Sequence, residues 1–161
     1  MFIRSFAVFL SVVSICIHVE LWAQTANAIH YPRLIHADVP LYPPIPATMR
    51  FGGIVKIQVV VENGIVSDAK VIYETIEPMV NSQNVSSNKD ENKKLLPYLA
   101  NPSLENLKSW KFFSEKRTTF IVTYIYRMEG EETLLPENPK VEFNLPYLIK
   151  VTRKPFKPTQ T

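Results

Sequence analysis

Apolar and polar positions alternate most clearly along residues 54–62. Val55, Ile57, Val59 and Val61 fall on one side, and Lys56, Gln58 and Glu62 on the other. A period of two marks a half-buried strand. Asn63 and Gly64 follow. An Asn-Gly pair between two apolar runs predicts a tight hairpin, because both turn residues need positive φ. Residues 65–73 are then the return strand, and the alternation slips at Ser67 and Asp68, which predicts a bulge. Residues 118–127 predict a third strand. Phe120, Val122, Tyr124 and Tyr126 share one face, and Ile121, Thr123 and Ile125 the other. A strand apolar on both faces is central, or an edge awaiting a partner. Shorter alternations at 141–145 and 147–151, parted by Pro146, predict one or two strands more.

Helical signals are fewer. Asn101 followed by Pro102 reads as a capping residue and a first helical position. The helix is expected to continue to Trp110, with Leu104 and Leu107 as its apolar stripe. Residues 29–41 form an extended lead-in, and the proline-rich stretch around it ends in a short helical turn near 47–50. Residues 81–94 hold one apolar side chain in fourteen and read as a polar insertion. Asn84, Val85 and Ser86 match a glycosylation sequon by pattern alone.

At the N-terminus, Arg4 precedes an apolar run at 6–17, and Ala26 and Ala28 supply small residues at the two positions a signal peptidase reads. About a dozen apolar residues suit a signal peptide; a spanning helix needs about 20. Residues 1–28 are therefore expected to be a signal peptide cleaved after Ala28, giving a periplasmic protein. Membrane attachment would follow only if that segment stayed uncleaved. Cys16 is the single cysteine, so the mature part can form no internal disulfide.

Composition narrows the class. At 161 residues, 46% apolar and 20% charged, the chain is a globular protein with room for one ordinary domain. A formal charge of +3 gives no argument for nucleic acid. The charge is uneven: from residue 140 onward Lys140, Lys150, Arg153, Lys154 and Lys157 face one acid, Glu142, so the tail is +4 and the remainder −1. That tail is either a solvated terminus or a contact with an anionic envelope surface.

Candidate chemistry is sparse. Outside the N-terminal segment only His30 and His36 remain, both in the lead-in and with no cysteine to join them in holding a metal. No nucleophile elbow, zinc helix motif or phosphate-binding glycine loop occurs. Glu129, Glu131 and Glu132 flank Gly130 as a solvated turn. No catalytic residue, cofactor or metal is expected, and the chain reads as a non-enzyme.

Several residues in order carry a resemblance. Tyr42 and Pro43, then Arg50, Gly53 and Val55, then Asn63, Gly64 and Val66, then a helix closing in Trp110, Lys111 and Phe112, then a strand, together resemble the TonB C-terminal domain over residues 42 to about 128. The resemblance implies a three-stranded antiparallel sheet on two helices. It implies that Tyr42, Pro43, Gly53, Gly64, Trp110 and Phe112 make the fold. It also implies that the third strand takes an extended segment of an outer-membrane protein by strand addition. The residues so implicated are Thr119, Phe120, Val122, Tyr124 and Tyr126.

Two departures from the family matter. The roughly 20 residues between Ala23 and Tyr42 reach about 70 Å at most, too short for a spacer that crosses the periplasm. Residues 129–161 also add a β-containing extension with a basic tail, whose Val141, Phe143 and Leu145 are too apolar for a free terminus. That extension could fold back on the third strand's edge.

The expected fold class is therefore α+β: a small antiparallel sheet, three family strands plus one or two tail strands, packed on one long and one short helix. The expected function is an exported, non-catalytic interaction module binding a protein or extended peptide by strand addition, with a homodimer open to it. The alternatives are a membrane-retained component of TonB-type energy transduction and an envelope structural or assembly protein.

Overall fold

The structure, a computed structural model, describes residues 32–78, 89–114 and 116–157. The expected signal peptide, His30, the sequon and residues 81–88 of the polar insertion lie outside the described residues.

The alternation at 54–62 builds the centre of the sheet. Strand β2 (Phe51–Glu62) buries Val55, Ile57, Val59 and Val61 completely. Each such side chain stabilises the fold by about 1.5–3 kcal/mol relative to an exposed one. The turn to β3 (Ile65–Pro78) is the two-residue hairpin, with Asn63 at φ 52° and Gly64 at φ 76°. Register jumps from Val60–Asp68 to Val61–Val66, leaving Ser67 as the bulge, and a second jump leaves out Ile72. Strand β5 (Thr118–Met128) pairs antiparallel with the other side of β2, Val55 facing Tyr124 and Val59 facing Phe120.

Four more strands extend this centre. Strands β1 (Arg33–His36) and β4 (Lys111–Phe113) pair with each other, and β4 joins β3 only through Ile65 and Lys111. Strands β6 (Lys140–Asn144) and β7 (Leu148–Arg153) form an antiparallel hairpin. Strand β7 lies parallel to β5 along residues 123–128. The order across the sheet is β1-β4-β3-β2-β5-β7-β6.

Helices α1 (Pro44–Met49) and α3 (Pro97–Leu107) pack against β2, α3 also against β3, while α2 (Lys89–Lys93) is a single turn. Helix α3 buries Leu99, Ala100, Ser103 and Leu107, one face at helical spacing. It opens at Pro97, not at Asn101, and Pro102 sits inside it, which removes the donor that Tyr98 O would otherwise accept. It ends at Leu107, so Trp110 and Phe112 belong to the exit and to β4, not to a longer helix.

This architecture corrects the expected fold class. The chain is mostly sheet, half strand and under a fifth helix, and its seven strands curl into a half-barrel. It is not a small antiparallel sheet on one long and one short helix. Strands of four and three residues, β1 and β4, are too short to show a period of two. Both tail strands join the same sheet and one pairs in parallel, which no local pattern specifies. The two helices packed on the sheet have only six and eleven residues.

Candidate functional site

Strand β5 carries the five residues expected to meet a partner. Period-two geometry sends Phe120, Val122, Tyr124 and Tyr126 to the helix-covered face, where all four are buried. Thr119 is exposed on the other face, beside exposed Ile121. The aromatic face of β5 is thus core, and the part open to a partner is its backbone edge.

The buried polar groups on that face are satisfied from α3. Asn106 Oδ1 accepts from Tyr124 Oη at 2.8 Å and from Trp110 Nε1 at 3.2 Å, while Asn106 Nδ2 donates to Asp38 O at 2.9 Å. Ser103 Oγ donates to Leu99 O at 2.8 Å, so Tyr126 Oη donates to Ser103 Oγ at 2.9 Å. Burial pushes the Tyr124 phenol well above its ordinary range, with Tyr126 adding to the effect. Burial likewise pushes Tyr126 up to about 12, against a lowering by the Ser103 hydrogen bond. Tyr42 is raised by burial and then by Tyr126. All three are neutral donors at physiological pH, with no role as a base.

The six residues that carry the resemblance are placed as follows. Tyr42 Oη donates to Phe51 O at 2.9 Å, and its ring meets Tyr126 edge-on at 5.7 Å. Pro43 caps α1. A Cβ on Gly53 would stand 2.0 Å from Thr75 O, so the two strands could not close with any side chain there. Gly64 O accepts from Phe112 N at 2.7 Å, tying the hairpin turn to β4. Trp110, Phe112 and Phe120 form a chain of rings 6.0 and 5.7 Å apart.

The outer edge of β5 is half covered. Thr123 N donates to Tyr147 O at 2.7 Å, and pairing with β7 runs from Thr123 to Met128. Backbone groups alternate sides along a strand, so the N–H and C=O of Thr119 and Ile121 point the same way as those of Thr123. Among the described residues no strand lies beside them. The open part, residues 118–122, is about 17 Å long.

The basic tail offers less than its composition suggests. Lys140 bonds Glu142 at 2.8 Å, and each holds the other in its charged form, through that hydrogen bond above all. Lys150 lies 3.7 Å from both Glu129 and Glu142, Lys154 3.2 Å from Glu137 and Lys157 4.0 Å from Glu132. Glu132 also pairs with Arg50.

Other chemistry is limited. A cleft of about 150 Å³ between Gly52, Glu77, Tyr126, Arg127 and Glu129 is well under the several hundred Å³ of an ordinary small-molecule site. His36 pairs with Asp38 at 3.1 Å. Among the described residues no cluster of three or more His, Cys, Asp or Glu side chains is poised for a metal, and no helix is long and apolar enough to cross a membrane.

The sequence reading passed over Asn106 and Ser103, whose polar side chains on the buried face of a helix carry no motif. It placed Ile121 on the strand's other face but not among the partner-binding residues, because a run apolar on both faces does not say which face stays open. Comparison with family models, curated proteins and solved structures found no match.

Proposed function

We propose that this chain is a non-catalytic interaction module of the cell envelope that takes an extended peptide segment by strand addition at residues 118–122. The observation that supports the reading is the backbone of Thr119 and Ile121, whose two N–H and two C=O groups face away from β2 with no strand beside them among the described residues. The resemblance to the TonB C-terminal domain points to the same strand and suggests an outer-membrane protein as the source of the segment.

The slot limits what binding can achieve. Four main-chain hydrogen bonds contribute about 2–6 kcal/mol in total, which leaves the partner's side chains to supply the rest against the cost of ordering the peptide. Ile121 and Thr119 are the protein side chains best placed to read it.

The test is amide exchange in the full-length protein with an excess of a TonB-box peptide. The amides of Thr119 and Ile121 should gain protection, and Ile121→Pro should abolish binding. That substitution removes an outward N–H and leaves the β2 ladder intact. A peptide that binds without protecting either amide, or that binds the proline variant equally well, would refute the reading.

A further inference from the structure

We infer that the corner of the sheet built by β1 and β4 docks onto an anionic lipid surface. This goes beyond the peptide slot and is independent of it. Register sets the arrangement. Arg33 stands opposite Phe113, His36 opposite Lys111, and Lys111 opposite Ile65. Opposed residues share a face, so Arg33, Phe113, Lys111 and Ile65 project together, while Leu34 and Phe112 turn inward to the core. Phe113 is 70% exposed, Ile35 63% and Ile65 56%. Lys116 and Arg117, both exposed, follow in the connection from β4 to β5.

Four cations without a carboxylate partner meet at this corner, while Lys56, Lys70, Lys94 and Arg153, which also have none among the described residues, are spread over other elements. Arg33, Lys111, Lys116 and Arg117 pair with no carboxylate among the described residues, whereas Lys140, Lys150, Lys154 and Lys157 each have one. The acids at this corner are Glu62, opposite Ile65, and Asp38, bonded to His36 opposite Lys111; the side chain of Glu115 is outside the described residues. Two cations, Arg33 and Lys111, share a strand face with exposed Phe113 and Ile65, and Lys116 and Arg117 follow in the adjoining connection; such a mix suits a bilayer interface, where the apolar groups enter the headgroup boundary and the cations meet lipid phosphates. A protein partner would have to match this relief in shape over about 800 Å²; a fluid lipid surface need not.

Binding of the full-length protein to phosphatidylcholine vesicles, with and without phosphatidylglycerol, tests the proposal. Insertion of the apolar run at 6–17 would not depend on headgroup charge, so the quantity read is the ratio of the two affinities. Wild type should prefer the anionic vesicles, and the preference should shrink as salt rises. Each basic side chain near such a surface is worth about fivefold, so K116Q/R117Q should lose about 25-fold of the preference. Phe113→Ser should weaken binding to anionic vesicles while leaving the salt dependence in place. Lys154→Gln, in the tail, should change nothing. No preference in the wild type, an unchanged preference in K116Q/R117Q, or loss on Lys154→Gln would each overturn the proposal. So would binding of polyglutamate together with indifference to lipid charge, which would make the corner a protein-docking surface.

Discussion

Asn106 holds three parts of the fold with one side chain, and removing it gives a sharp measure of the buried polar network. Its Oδ1 accepts from the phenol of Tyr124 and the indole of Trp110, both fully buried, and its Nδ2 reaches the carbonyl of Asp38. Asn106→Ala leaves two buried donors with no acceptor, at about 1–3 kcal/mol each. The exposed third bond adds little, and alanine's better helix propensity returns about half a kcal/mol. The expected net loss is about 1.5–5.5 kcal/mol, a large share of the 5–15 kcal/mol typical of a domain. Urea unfolding followed by circular dichroism would show it as a lower midpoint at unchanged slope. Asn106→Asp keeps the acceptor oxygen and should cost less. Tyr124→Phe removes one donor and should cost about 1 kcal/mol. The double variant N106A/Y124F should fall short of the sum, because the phenol orphaned in the Asn106→Ala single is absent from the double and the lost Tyr124–Asn106 bond is counted in both singles. An Asn106→Ala variant within about 0.5 kcal/mol of wild type, or strict additivity, would refute the network.

Alkaline pH should unfold the protein cooperatively. Tyr42, Tyr124 and Tyr126 titrate above their ordinary value when folded and near 10 when unfolded. Their contribution is therefore intact below pH 10 and is lost as pH climbs towards 12, at up to about 4 kcal/mol per pH unit for the three together. Tyrosinate absorbance from these residues should rise only with loss of circular dichroism; titration near pH 10 with the fold retained would contradict their burial. Gly53→Ala should cost at least about 2 kcal/mol, read as a lower melting temperature, because the new Cβ meets Thr75 O.

The parts of the fold written locally were legible. The β2–β3 hairpin shows in the alternation of Val55 to Val61 and the Asn63-Gly64 turn, and the Ser67 bulge in the slip beside it. Strand β5 reads as central because it is apolar on both sides. The strands β1 and β4 were not legible: their pairing joins residues nearly eighty apart, and neither is long enough to carry a pattern. The start of α3 was misread because the Asn101-Pro102 signal is overridden by packing of Leu99 and Ala100 against the sheet. Of the candidate site, the strand was legible but not which of its atoms stay open, since that depends on where β7 begins, set by the distant turn at 145–147.

The parallel pairing of β5 with β7 also fixes an order of events in synthesis. Arg153 follows Met128 by 25 residues, roughly one to five seconds of translation. During that interval β5 can settle on β2, but its far edge still lacks β7, the strand that pairs with it. A strand rich in Val, Ile and Tyr with a bare edge is prone to pair with another nascent chain. The last strand made therefore acts as an intramolecular guard. Its short length leaves the first half of that edge without a strand beside it among the described residues, so one segment carries both the hazard and the opportunity.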